Sequence, residues 1–314
     1  MKKFLLCLVF LLLLSFSLCA CAEKEDDGKT DILCSVFPLY DWTREIVGED
    51  DTLSLELLLE NGVDMHSYQP SVQDIVKISE CDVFIYVGGA SDAWIEEVLR
   101  EHRNPDRTVL RLIDYIDCED NACHDGLDHS HHHEAEGYDE HIWLSLRNAA
   151  RLSGVIADAL CARLPEKATL YKANAQAYIA RINALDETYA EAFGALSQRV
   201  LLFADRFPFV YLSRDYGITS FAAFSGCSAE SEASAATVRT LSEKLNEYSL
   251  HTVLVLEDSA DSIAASVISA AKRDDVAVRS LDSMQSISHK DIAGGVRYLS
   301  LMEKNLATML QAMQ

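Results

Sequence analysis

Positive charge is scarce in this chain: 27 lysines and arginines stand against 50 aspartates and glutamates in 314 residues. Nucleic acid demands a basic surface for its phosphates, so this balance argues against a nucleic-acid partner. No basic patch is in view for anionic lipids either. A membrane-spanning helix needs about 20 apolar residues, and the apolar run Phe4 to Leu14 is shorter. Catalytic signatures are also missing. There is no His-Glu-x-x-His zincin string, no Gly-x-Ser-x-Gly nucleophile elbow and no Walker phosphate loop. Gly88-Gly89 and Gly294-Gly295 are too short to cradle a nucleotide and read as ordinary chain breaks.

What is present begins with an address. Lys2 and Lys3 precede the apolar run, and small and polar residues follow from Ser15 to Cys21. That order is the charged, apolar and cleavage-zone sequence of a secretory signal over residues 1–20. Leu18-Cys19-Ala20-Cys21 resembles the bacterial lipobox, with Cys at its second position as a departure, which makes Cys21 the expected lipid-bearing residue. Residues 21–30 are polar and charged and suit a flexible tether. The expectation is a protein lipid-anchored to the extracytoplasmic face of the cell membrane, with the acyl chain as its membrane contact. Without residues 1–20, which carry Lys2 and Lys3 but no acid, 50 acidic side chains face 25 basic ones. Such a surface gathers cations without choosing among them.

Histidine is concentrated where it can act on such a cation. His124, His129, His131, His132, His133 and His141 are six of the ten histidines and fall in one acidic loop, residues 123–141. Neutral imidazole is the commonest nitrogen ligand for zinc, and neighbouring carboxylates favour a cation. A tract of this kind reads as a metal-binding segment; the plain alternative is a solvated polar loop. Among the cysteines, Cys34 and Cys81 sit in apolar runs and are expected to be buried small hydrophobes. Cys118 and Cys123 flank a short loop, so a disulfide is the first reading and zinc ligation the second.

The remaining chain alternates strands and helices. Strands are expected at Asp31–Val36, Leu53–Leu59, Val83–Val87 and Thr108–Leu112, with helices at Tyr40–Val47, Ser71–Ser79 and Asp92–Arg100 between them. A helix over residues 145–163 follows. From Glu166 to about Ser197, Tyr171, Tyr178, Ile182, Leu185, Tyr189, Phe193 and Leu196 recur in steps of three, four or seven, which predicts one long helix with a single apolar stripe. A second set follows: strands Val200–Ala204, Ser220–Phe224, Thr252–Leu256 and Val276–Leu281, and helices around Pro208–Tyr216, Thr237–Tyr248, Ser259–Lys272 and Gly294–Ala312. The fold class is therefore α/β: two lobes, each a mostly parallel sheet covered by helices, joined by one long rigid helix. The expected boundaries are 31–165 for the N-terminal lobe, 166–197 for the linking helix and 198–314 for the C-terminal lobe.

Several strings together resemble the metal-binding lipoproteins of bacterial zinc and manganese ABC importers. Gly62-Val63-Asp64-Met65-His66-Ser67-Tyr68-Gln69-Pro70 is similar to the family's first motif, Gly-Val-Asp-Pro-His-x-Tyr-x-Pro, with Met65 in place of proline. Asp139-Glu140-His141-Ile142-Trp143-Leu144-Ser145 resembles the second, Asp-Pro-His-x-Trp-Leu followed by Asp or Ser. Tyr211-Leu212 and Tyr216-Gly217-Ile218 echo the third, Gly226 to Ser234 the loop after it, and Leu281-Asp282-Ser283-Met284 the segment that supplies a carboxylate. The likeness runs from about Ile32 to the C-terminus. It implies His66 and His141 as metal ligands from the first lobe and Asp282 from the second. A histidine-rich insertion between the first two motifs goes, in this family, with zinc more than manganese.

One position departs from the pattern. Aligned on Tyr211, the histidine of the third motif is replaced by Arg206, and a guanidinium cannot ligate zinc. Asp205, Glu257 or a histidine of the tract are the candidate substitutes, and Arg206 is itself a candidate ion-pair partner for Asp282 or Glu257. The resemblance implies no enzyme but a monomeric binding protein that captures Zn²⁺, with Mn²⁺ as second choice, and delivers it to an ABC-transporter permease. Two alternatives stay open at this point: a zinc-buffering or adhesion lipoprotein that binds metal only through the histidine tract, and a zinc-dependent hydrolase using the vacated position.

Overall fold

A computed structural model describes residues 28–59, 63, 65–101, 104–117, 138–226, 228 and 232–314. The signal, Cys21, Cys118, Cys123 and the tract histidines His124, His129, His131, His132 and His133 lie outside the described residues.

The first sheet holds β1 (Thr30–Cys34), β2 (Leu53–Leu57), β3 (Val83–Tyr86) and β4 (Thr108–Arg111), all parallel, in the order β2-β1-β3-β4. Parallel strands need crossovers, and helices α1 (Phe37–Val47), α2 (Val72–Glu80) and α3 (Ala93–Glu101) provide them. Pro38 in the first turn of α1 sets its start, and Gly48 at φ 67° ends it. Ser71 and Asp74 form a capping box on α2. Covered on both faces, Val83 to Tyr86 are buried throughout, which is why the strand reads as an unbroken apolar run. Cys34 and Cys81 are buried free thiols, as their apolar surroundings led one to expect, and burial pushes both up to about 12.

The second sheet repeats the plan with β5 (Val200–Phe207), β6 (Thr219–Ser225), β7 (Thr252–Leu256) and β8 (Ala277–Leu281), parallel, in the order β6-β5-β7-β8. Between the sheets run α4 (Leu146–Arg163) and α5 (Ala168–Gly194). The buried residues of α5 are Tyr171, Ala175, Tyr178, Ile182, Leu185, Tyr189 and Phe193, the predicted stripe with Ala175 added and Leu196 left out. At 1.5 Å per residue this helix is about 40 Å long. Its early turns hold the first lobe, with Asn174 donating to the Ile46 carbonyl at 3.0 Å. Tyr189, near its end, donates to the Met302 carbonyl at 2.6 Å.

The second lobe carries α6 (Val210–Tyr216), α7 (Ala235–Glu247), α8 (Ser262–Ala271), α9 (His289–Ala293) and α10 (Tyr298–Ala312). The helix expected over Gly294–Ala312 begins instead at Tyr298, and the short α9, which the sequence reading does not include, precedes the break at Gly294 and Gly295, the latter at φ 94°. Although last in sequence, α10 reaches the first lobe. The Tyr298 amide donates to Asp41 at 2.9 Å, and its ring meets Trp42 edge-on at 5.3 Å. One apolar core runs through both lobes, from Ile32 to Met313, and a smaller one fills the far face of the second sheet. The lobes are thus fused along a shared core.

Candidate metal site at the lobe junction

Open α/β sheets place ligand groups beyond the C-terminal ends of their strands, and the candidate residues sit there. His66 lies in the short 3₁₀ turn Met65–Ser67 after β2, Ser91 in the turn after β3, and His141 in a buried strip that leads into α4. The two histidines, far apart in the chain, face each other with Nε2 to Nε2 at 3.0 Å. Their ring centroids are 5.1 Å apart.

Each ring is held from behind. Asp139 Oδ1 stands 3.0 Å from His141 Nδ1 and accepts the His141 backbone N–H at 2.9 Å. On His66, Nδ1 lies 2.8 Å from Ser91 Oγ and 3.3 Å from Glu140 Oε1. Glu140 in turn accepts from the Ser91 hydroxyl at 2.6 Å and its amide at 3.0 Å. Burial opposes the charge on Glu140, but the bonds from His66 and Ser91 win and hold it down at about 2. A carboxylate on the rear nitrogen fixes the ring and its tautomer and leaves the Nε2 lone pair for a cation. When both rings carry their proton on Nδ1, the two Nε2 lone pairs face each other, an arrangement that a cation between them stabilises. Zinc–nitrogen bonds of about 2.0–2.1 Å at a tetrahedral angle hold their nitrogens about 3.3 Å apart, so an ion enters with a shift of a few tenths of an ångström.

Backbone space was made for this. Glu140 lies over Gly89, where a Cβ would come 2.0 Å from its Oε2. Gly226 packs on the other side, where a Cβ would lie 2.8 Å from the Phe207 carbonyl and 3.1 Å from His141 Cε1. The pair Gly88-Gly89 read from the sequence as a plain break, and Ser91 carried no signal at all. Close approach of a buried carboxylate to a glycine is visible only once the chain is folded.

The second-lobe carboxylates do not join the histidine pair. Among the described residues, no three His, Cys, Asp or Glu side chains converge to hold one ion. Asp205 is buried in β5 and accepts the Arg206 amide at 2.7 Å and the Leu256 amide at 3.0 Å, pinning β5 to β7 where the register with β6 shifts. Glu257, after β7, accepts the Ser283 amide at 2.7 Å and the Ser283 hydroxyl. Burial, followed by the charge of Asp282, pushes Glu257 up to about 7. Asp282, after β8, accepts the Met284 amide at 2.9 Å and is likewise raised by burial.

His66, Ser91 and Glu140 line a cleft of about 620 Å³ whose opposite wall is Asp205, Arg206, Phe224, Ser228 and residues 259, 260, 262 and 263. The strip bearing His141 is bonded into the second lobe: Tyr211 donates to the Asp139 carbonyl at 2.7 Å, and Trp143 donates to the Ser283 carbonyl. His251 and His289 are exposed and do not line this cleft.

Residues 32–312 match the family described as zinc-uptake complex component A, periplasmic. Over 316 aligned positions the chain is 32% identical to the zinc-binding lipoprotein AdcA of Streptococcus pneumoniae, an alignment that takes in 99% of this chain and 61% of that relative. The chain therefore spans less than two thirds of that protein. It is 23% identical over 296 positions to the high-affinity zinc uptake system protein ZnuA of Bacillus subtilis, covering 91% of each. Among solved structures, the Zn(II)-bound ZnuA-like domain of Streptococcus pneumoniae AdcA superposes with a TM-score of 0.73 at 28% identity, over 91% of this chain and 99% of that one.

Proposed function

Because this chain belongs to the zinc-uptake component A family, a family of transport components and not of enzymes, we propose that it captures Zn²⁺ at the lobe junction and hands it to an ABC-transporter permease. The observation that carries the reading is the His66–His141 pair, with both Nε2 atoms 3.0 Å apart and both Nδ1 atoms backed by carboxylate. Zinc takes such a nitrogen pair readily; manganese prefers oxygen-rich sets. Asp282 is the second-lobe carboxylate we assign as third ligand, since both oxygens of Asp205 and both of Glu257 accept hydrogen bonds, whereas the Met284 amide takes Oδ1 of Asp282. A two-His, one-carboxylate set leaves one tetrahedral position, where the family's third histidine would sit and Arg206 stands instead.

The relatives named as zinc-binding lipoproteins support an anchored position outside the cell, with Cys21 as the lipid-bearing residue. Among the described residues no helix is long and apolar enough to cross a membrane. The histidine tract is assigned as a collector beside the cleft, and the protein as a monomer. The family assignment removes the hydrolase alternative.

Zinc titration against a chelating dye tests this on the wild type, His66→Ala and a protein lacking residues 124–133. The expected result is loss of the tight site in His66→Ala and its survival in the deletion. Unchanged affinity in His66→Ala, or loss of tight binding only on deletion, would place the metal on the tract and end the cleft reading.

A further inference from the structure

Side chains, not a neighbouring strand, hold the turn that carries Asp282. The ladder between β7 and β8 closes where the Glu257 amide donates to the Leu281 carbonyl at 3.1 Å. Beyond it the Asp282 amide donates to Asn305 Oδ1 at 2.9 Å, and Asn305 Nδ2 donates to the Asp282 carbonyl at 2.7 Å. The Ser283 amide donates to Glu257 Oε2 at 2.7 Å, and the Ser283 carbonyl accepts from the Trp143 indole at 2.8 Å. The Met284 amide closes on Oδ1 of Asp282 itself. Five successive backbone groups are thus met by side chains, although buried backbone groups usually find other backbone.

The turn needs such holding. Met284 is buried at φ 63°, a left-handed conformation that is costly for any residue but glycine. Backbone of this kind persists only where its surroundings over-determine it. Asn305 is the odd member of its helix face: apart from Tyr298, the other buried side chains of α10 are apolar. A buried amide is costly unless its own hydrogen bonds are made, and Asn305 spends both ends of its amide on one residue. The start of α10 is fixed to the first lobe and to the strip bearing His141. There the Tyr298 amide donates to Asp41 and the Tyr298 hydroxyl to the Trp143 carbonyl. Asn305 stands about two turns further along the same helix.

We infer that Asn305 is a positioning residue of the metal site: by gripping the chain on both sides of the Asp282 Cα, it fixes where that carboxylate stands relative to His66 and His141. This rests on Asp282 as third ligand, proposed above. With Oδ1 tied to the Met284 amide, Oδ2 is the oxygen given to the metal. Glu257 and Trp143 hold the next backbone groups from the end of β7 and from the His141 strip, so the ligand turn answers to both lobes. Such outer support weakens metal binding when it is lost, although no donor atom leaves the metal.

A double-mutant cycle on the full chain separates positioning from packing. Zinc affinity is measured by dye competition on the wild type, Asn305→Leu, Asp282→Ala and the protein carrying both changes. Leucine resembles the neighbours of Asn305 on α10 and has no amide. Asn305→Leu is expected to weaken zinc binding about ten- to a hundredfold, and to cost nothing further once Asp282 is replaced. Asn305→Asp keeps an oxygen for the Asp282 amide and is expected to recover part of that loss; it carries the same cycle should the leucine variant fail to fold. Native affinity in Asn305→Leu, or an equal loss with and without Asp282, would overturn the inference and leave Asn305 a packing residue. Native affinity in Asp282→Ala, with His66→Ala still defective, would take Asp282 off the metal and overturn the inference at its premise while the histidine site stands.

Discussion

Trp143 donates its indole N–H to the Ser283 carbonyl at 2.8 Å, so a residue two places beyond His141 is bonded to the neighbour of Asp282. The ring is fully buried, and the Trp143 carbonyl accepts the Tyr298 hydroxyl at 2.7 Å. The strip bearing His141 and the segment bearing Asp282 are therefore spaced by buried polar bonds and a shared core. Trp143→Phe removes the donor, strands the Ser283 carbonyl and shrinks a packed ring. The expected cost is about 2–4 kcal/mol of stability, read from urea melts, together with weaker zinc binding in the folded variant. Destabilisation with native zinc affinity would show that this bond serves the core alone.

Gly89→Ala tests the support behind His66 without replacing any titratable residue. The added Cβ would sit 2.0 Å from Glu140 Oε2 and 2.4 Å from Glu140 Cβ, so the carboxylate has to leave Ser91 and His66. Loss of a carboxylate behind a ligating histidine typically weakens metal binding about ten- to a hundredfold. The same loss is expected here by dye competition, and Glu140→Ala should reproduce it. If Gly89→Ala bound zinc like the wild type, Glu140 would not be orienting His66.

These two cases show which parts of the molecule could be read in advance. The inner strands β3 and β7 are continuous apolar runs because they are covered on both faces, and Val83 to Tyr86 or Thr252 to Leu256 carry that signal without help from the rest of the chain. The stripe on α5 is equally local. The break at Gly294-Gly295 is legible in the sequence, but α9 before it is only five residues long, too short for a helical period to show. At the site, His66 and His141 stood out through their flanking residues, and Asp139 was a natural partner for a histidine two places away. Glu140, next to His141 in the chain, serves His66, 74 residues earlier, and Ser91, 49 residues earlier. Nothing in the sequence around Asp205 and Glu257 announces that backbone amides hold these strand-end carboxylates. Pairings of that kind arise only from tertiary packing.

Gly226→Ala presses on the other histidine. Its Cβ would meet the Phe207 carbonyl at 2.8 Å, Asp139 Oδ2 at 3.1 Å and His141 Cε1 at 3.1 Å. A backbone oxygen cannot swing aside like the end of a long side chain, so the loop after β6 must lift or the Asp139–His141 pair must move. Overpacking of this sort costs about 1–3 kcal/mol. Reduced zinc affinity is expected alongside reduced melting temperature. An unaltered His141 ring resonance by NMR in the variant would show that the loop had yielded instead.

Asp92 gives the clearest pH dependence outside the ligand set. Burial, and then the charge of Glu140, push its carboxyl from 3.8 up to about 7, against a 2.8 Å hydrogen bond from the Gly88 amide that favours the ionised form. Between these two values the native state keeps a proton that the unfolded chain has lost. Stability therefore falls as pH rises from about 4 to about 7, and the penalty is constant above that. Its ceiling is roughly 4 kcal/mol, at about 1.4 kcal/mol per unit of displacement. Asp92→Asn keeps a carbonyl oxygen for the Gly88 amide and has nothing to ionise. Denaturant melts at pH 4.5 and 7.5 should show the variant gaining on the wild type at the higher pH. Parallel stabilities at both values would mean that Asp92 is ionised in the native protein, with the Gly88 amide outweighing its burial.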